Sequence, residues 1–184
     1  LNLQYLLKDK NSKVIAVHSS IAGEGKSFVT LNLAASIAVN KKVLLIEADM
    51  RKPRLFQVLG HENDKGLSNY LNGKYGFEEV VKATKIKGLN FVAAGPVPFY
   101  PSELLNNGLL EKFIEEAKRS YDYIIFDNAP ASIVNDAMMI APFADANLFV
   151  LKLKSSTKNQ LEYVNRVANE GIIKNMVITL NNVT

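Results

Sequence analysis

Val14-Ile15-Ala16-Val17-His18, then Ser19-Ser20-Ile21-Ala22-Gly23-Glu24-Gly25-Lys26-Ser27, then a helical pattern from Phe28 to Val39, place a buried strand, a glycine-bearing turn and a helix in direct succession. The strict phosphate-loop pattern G-x-x-x-x-G-K-[ST] has glycine where Ser20 stands, so this loop is a variant of it. The mechanics survive the change. Gly23 and Gly25 let the backbone curl so that successive N–H groups converge, and the helix that follows adds its positive N-terminal end; together they form a cradle for phosphates. Within it Lys26 can reach the β- and γ-phosphates of a nucleotide, and the Ser27 hydroxyl can ligate Mg²⁺. Ala22, Gly23, Glu24, Gly25, Lys26, Ser27 and Phe28 are therefore candidate nucleotide-binding positions. The plainer alternative is an ordinary glycine turn with a lysine on a helix's first turn, and the strand before and helix after weigh against it.

Outward from the loop, strand-like and helix-like segments alternate. Val43 to Ala48, Leu89 to Ala93, Tyr123 to Asp127, Ala146 to Leu151 and Met176 to Leu180 are short apolar runs of the kind buried on both faces of a sheet. Helical spacing shows at Leu109-Leu110-Phe113-Ile114-Ala117 and Leu161-Val164-Val167-Ala168, the latter with a capping box at Thr157 and Gln160 and a stop at Gly171. Right-handed crossovers between such strands are expected to give an α/β fold, a mostly parallel sheet with helices on both faces, P-loop NTPase-like in carrying the phosphate loop after its first strand. The chain's 184 residues are expected to form a single domain. Its 48% hydrophobic and 22% charged residues, with six prolines and ten glycines, exclude disordered and low-complexity classes.

A net charge of +4 suits phosphates or an anionic surface but lacks the dense basic tract of a nucleic-acid arm, so no nucleic acid is expected as partner. With no cysteine and only His18 and His61, thiolate and zinc chemistry drop out. No apolar run approaches the roughly 20 residues of a membrane helix. The start Leu1-Asn2-Leu3-Gln4 has neither a methionine nor a signal peptide's charged region, and the chain is expected to be a fragment cut from something longer.

Two acidic strand ends complete the chemistry. Leu44-Leu45-Ile46-Glu47-Ala48-Asp49-Met50-Arg51 places Glu47 and Asp49 on one side if the strand runs that far, suited to hydrated Mg²⁺ and to a proton acceptor. Tyr123-Ile124-Ile125-Phe126-Asp127 has the Walker B form, four apolar residues and an acid at the strand tip that holds Mg²⁺. Asp122, at that strand's start, is expected at the surface. Arg51, Lys52 and Arg54 read equally as a solvated loop or as a subunit contact.

Taken in order, these pieces resemble the bacterial tyrosine kinases of capsular and exopolysaccharide synthesis and export. The resemblance takes in the phosphate loop, Leu44 through Arg51-Lys52-Pro53, Gly66-Leu67-Ser68-Asn69-Tyr70-Leu71, Ala94-Gly95-Pro96-Val97-Pro98, Pro101-Ser102-Glu103-Leu104-Leu105, Asp122 to Asp127 and Leu180-Asn181-Asn182-Val183. It implies a kinase that uses ATP and Mg²⁺ and phosphorylates tyrosines, chiefly in a tyrosine-rich tail of its own polypeptide, within a ring-like oligomer. By the same resemblance Lys26 and Ser27 bind phosphates and metal, Asp49 and Asp127 organise Mg²⁺, Glu47 accepts the tyrosine proton, and Asn181 hydrogen-bonds adenine. A transmembrane activator or a fused membrane domain is implied, at the cytoplasmic side of the bacterial inner membrane.

The chain departs from that pattern in four places. Glu47 stands where the family commonly has aspartate, and Asp127-Asn128-Ala129-Pro130 replaces the commoner D-x-P-P. The tyrosine cluster that usually closes these proteins is missing, and Leu1 to Leu6 resembles only the last part of an arginine-containing association helix. Two other readings stand beside the kinase. A positioning or partitioning ATPase would carry a signature lysine where Ile21 stands, and a nucleotide-sensing module would bind without transfer.

Overall fold

The computed structural model describes residues 7, 13–131, 136–153 and 156–182. Residues 1–6 and Val183, on which the association-helix resemblance and the end of the terminal motif fall, lie outside the described residues.

Strand β1 (Lys13–Ser19) runs into the phosphate loop and helix α1 (Lys26–Ala38). After β2 (Val43–Glu47) come the short helices α2 (Leu55–Val58), α3 (Leu67–Leu71) and α4 (Phe77–Val80), then β3 (Lys82–Ala83) and β4 (Leu89–Val92). Helices α5 (Pro101–Leu105) and α6 (Leu109–Lys118) precede β5 (Tyr123–Asp127). Helix α7 (Asp136–Ile140) and a 3₁₀ turn (Ala141–Phe143) lead to β6 (Ala146–Lys152), α8 (Lys158–Asn169) and β7 (Met176–Asn181). The sheet order is β3-β4-β2-β5-β1-β6-β7, and every pairing is parallel except that of β3 with β4. The expected mostly parallel α/β sheet is therefore present, extended by a two-residue antiparallel edge strand that its length hid in the sequence.

Burial on both faces explains the apolar runs. Val14, Ala16, Leu44, Ile46, Ile124 and Phe126 point to one face, under Leu67 and Leu71 of α3 and Leu110, Phe113 and Ala117 of α6. The alternate residues Ile15, Val17, Val43, Leu45 and Ile125 meet Ala34 and Ala38 of α1 on the other. Each such side chain withdrawn from water contributes on the order of 1.5–3 kcal/mol before entropy is counted. Helix α8 lays Val164 against Phe149 and Leu151; the Thr157 N–H donates to Gln160 Oε1 at 2.6 Å, and Gly171 at φ 66° closes the helix. Parallel pairing brings the carboxyl ends of β1, β2 and β5 to one edge, so Ser19, Glu47 and Asp127 sit together by topology alone.

Candidate active site

The loop from Ser20 to Gly25 curls through two left-handed glycines, Gly23 at φ 89° and Gly25 at φ 88°. Conformation and space both require glycine at position 25, where a Cβ would come within 2.0 Å of the Asn181 amide nitrogen. The Glu24 carboxylate is buried inside the curl: Oε2 accepts the N–H groups of Ser20 at 2.7 Å and Ile21 at 3.0 Å, and Oε1 accepts the Ser156 hydroxyl at 2.8 Å. Asn181, on β7, donates its amide to the Glu24 carbonyl at 3.0 Å. Glu24 thus holds the loop's shape with its side chain and can offer a ligand only its main chain. Phe28, on the first turn of α1, is largely exposed.

Asp127 is where the loop meets the sheet. Its Oδ1 accepts the Lys26 ammonium at 2.6 Å and the Thr30 hydroxyl at 3.0 Å, and its Oδ2 accepts the Ser27 hydroxyl at 2.6 Å. The carboxylate is only 2% exposed, so these partners offset a desolvation that an unpaired charge could not survive. Thr30 escaped the sequence reading. Its signal was a hydroxyl one turn beyond Lys26 on the buried face of α1, where its Oγ1 also reaches the Lys26 carbonyl at 2.8 Å.

The second acidic pair divides differently from the sequence expectation. Strand β2 stops at Glu47, in register with Asp127, and Asp49 lies beyond the strand. Glu47, 1% exposed, accepts the main-chain N–H groups of Arg54 and Leu55 at Oε1 and of Phe56 at Oε2, capping the start of α2. Burial pushes its carboxyl above the ordinary carboxylate range, the three main-chain donors oppose that rise, and the nearby Asp127 charge adds to it. Asp49 Oδ1 accepts the N–H groups of Arg51 at 3.2 Å and Lys52 at 3.1 Å, which folds the basic segment back over the cleft. Arg51 reaches Ser102 Oγ at 3.2 Å. Asp122 is half-buried, accepting the Lys42 N–H at 2.8 Å.

Behind Asp127 lies a polar chain with no counterpart in the motifs. Asn147 donates its amide to the carbonyls of Ala141 at 3.3 Å and Lys174 at 2.8 Å, which turns its Oδ1 toward His18 Nε2 at 2.8 Å. The imidazole therefore carries its proton on Nε2, and Nδ1 accepts from Asn128 Nδ2 at 3.3 Å. Burial drives the His18 pKa down to about 4; the Asn147 bond opposes that, and the Lys26 charge assists it.

Lys26, Ser27, Glu47, Asp49 and Asp127 all line one cleft of about 390 Å³, rimmed by Arg51, Lys52 and Arg54. Among the described residues no cluster of three or more His, Cys, Asp or Glu could hold a metal alone. The hard oxygens of Ser27, Asp49 and Asp127 nevertheless fit Mg²⁺, which commonly takes one or two carboxylates and completes its shell with water and phosphate oxygens. Also among the described residues, no helix is long and apolar enough to cross a membrane.

The profile of a family described as an AAA domain matches residues 12–178. Tyrosine-protein kinase CpsD of Streptococcus agalactiae is 35% identical over 187 residues, an overlap of 100% of this chain and 79% of that protein. Tyrosine-protein kinase YwqD of Bacillus subtilis is 36% identical, covering 86% of this chain and 68% of its own length. The putative tyrosine-protein kinase EpsB of Ralstonia nicotianae is also 36% identical, but the match spans only 21% of its length. Among solved structures, the kinase domain of the Escherichia coli tyrosine kinase ETK superposes with a TM-score of 0.88 at 28% identity, over 99% of this chain and 74% of that one. The septum site-determining protein MinD of Pyrococcus horikoshii, complexed with Mg-ADP, reaches a TM-score of 0.77 at 23% identity over 94% and 71%, a likeness of fold.

Proposed function

The chain belongs to the P-loop family of bacterial tyrosine-protein kinases, and on that premise we propose that it transfers the γ-phosphoryl group of ATP, with Mg²⁺, to tyrosine hydroxyls, in the service of capsule or exopolysaccharide production. The observation that carries this reading is the in-register meeting of Glu47 with Asp127 at the phosphate loop, two buried carboxylates in one cleft with Lys26 and Ser27. A site that only sensed nucleotide would need no proton acceptor beside the metal-holding acid, whereas attack by a hydroxyl uses one.

The main-chain N–H groups of the Gly23–Gly25 loop and the start of α1 hold the phosphates, and Lys26 leaves Asp127 to follow the transferring group's charge. Ser27 and Asp127, with Asp49, would hold Mg²⁺, which when bound would neutralise charge on the phosphate oxygens. Glu47 takes the phenolic proton as the tyrosine oxygen forms its bond to phosphorus and the bond to the ADP oxygen breaks. Its raised proton affinity suits that role. Because Glu47 is 1% exposed and bonded to the 54–56 segment, a phenol reaches it only when that segment shifts. Asn181, beside the loop, is assigned to the adenine edge. Association into a ring, a tyrosine-rich tail as acceptor and a membrane activator, fused or separate, belong to the same proposal.

Labelled ATP incubated with the protein and a tyrosine-rich peptide tests the assignment. Label on peptide tyrosine is expected. Label released only as free phosphate would identify an ATPase, and nucleotide binding without either would identify a sensor.

A further inference from the structure

The second large concavity lies at the opposite edge of the sheet, where the parallel strands begin. It measures about 880 Å³, and its lining takes in the turns before β2, β4 and β5 and the end of α1. Five cations surround it: Lys41, Lys42, Lys87, Lys118 and Arg119. Two acids oppose them: Asp122, within the lining, accepts the Lys42 N–H at 2.8 Å, and Glu115 pairs with the Lys118 ammonium at 2.8 Å, which leaves the cations in excess. Between the cations the lining mixes polar Asn40 and Ser120 with apolar Ile86 and Val39, the last 75% exposed where α1 ends.

We propose that this edge is a docking surface for an anionic lipid bilayer, the lysines meeting phosphate headgroups while Val39 rests at the acyl boundary. Four of the five cations are lysines. A lysine is a mobile point charge suited to a diffuse anionic plane, whereas recognition of one phosphate in fixed geometry favours the arginine fork. An exposed valine among lysines fits an anion that carries hydrocarbon better than it fits an acidic peptide. Strands of five to seven residues separate this edge from the nucleotide cleft, roughly 17–23 Å. Docking therefore leaves the cleft facing away from the bilayer, and the proposal holds whichever chemistry the cleft performs.

Co-sedimentation of the full chain with vesicles of mixed phosphatidylcholine and phosphatidylglycerol, against pure phosphatidylcholine, is the test. Binding to the anionic vesicles alone is expected, weakened by salt. Joint reversal of Lys41, Lys42 and Lys87 to Glu should abolish it, since each cation near such a surface is worth roughly a fivefold change in affinity. Val39→Ser should reduce it less. Thermal stabilisation by Mg-ADP should be unchanged in both, which verifies the fold. Matched reversals at Lys74 and Lys158 should leave vesicle binding intact. Unchanged binding by the triple variant, equal loss in the matched reversals, or binding of polyglutamate in place of vesicles would each overturn the proposal.

Discussion

Asp127 and Glu47 sit side by side at the tips of adjacent strands, equally buried, yet they are held in opposite ways. Asp127 is held by three side chains, Lys26, Ser27 and Thr30; Glu47 is held by three main-chain N–H groups of residues 54–56. A side-chain partner can rotate away and be replaced by a metal or a phosphate without moving the backbone. A main-chain partner can be given up only if the chain moves. The pairing thus sets an exchangeable acid beside one that is tied to the position of the basic rim.

The sharpest way to break this contrast is Glu47→Gln. The amide oxygen can still accept from the 54–56 segment, so fold and ADP binding should persist while transfer to a tyrosine peptide falls by about 10²–10⁴. Equal losses in ADP affinity and turnover would merge the two acids into one role. Lys26→Met acts on the exchangeable side and should cost about 10²–10³ in transfer. It should also remove most of the thermal stabilisation by Mg-ATP with the fold retained, and a variant still stabilised like the parent would unseat the phosphate-loop assignment.

Titration separates the two tips as well. His18, reaching Asp127's neighbour Asn128, has its folded pKa depressed from 6.5 to about 4, so the folded state binds fewer protons. Its contribution is complete above pH 6.5 and is lost as pH falls toward 4, in total about 3 kcal/mol. Glu47 works the other way: its raised value gives a contribution present below the ordinary carboxylate pKa and lost as pH rises through the folded one. Urea unfolding of His18→Gln should flatten the acid limb, and Glu47→Gln should flatten the opposite slope. The smallest effect is expected for the half-buried Asp49: Asp49→Asn should weaken Mg²⁺-dependent binding on the order of tenfold to a hundredfold, measured by calorimetry.

Strands buried on both faces betray themselves as apolar runs, and a loop between strand and helix betrays itself by glycine and lysine. For that reason the six longer strands, the three longer helices and the positions of Lys26, Ser27 and Asp127 were legible. What stayed hidden was contact across distance. No spacing rule says that Glu47 will cap a helix starting eight residues later, that Glu24 will turn inward to Ser20 and Ser156, or that Asn147 will orient His18. Helices of four or five residues such as α2 and α4 are too short to show a period, and β3 has only two residues.

The bracing of the loop also sets an order of assembly. Residues 19–27 are made early, but what holds them comes late: the Asp127 carboxylate, the Ser156 hydroxyl and the Asn181 amide. Synthesis proceeds from the N-terminus, so the nascent chain can complete β1, α1 and β2 long before its loop has a fixed shape. Closing contacts over such separations is slow relative to local pairing. A polypeptide released before Met176 would keep the Asp127 and Ser156 contacts and lack only the Asn181 amide, so the last strand supplies the final brace of the nucleotide loop.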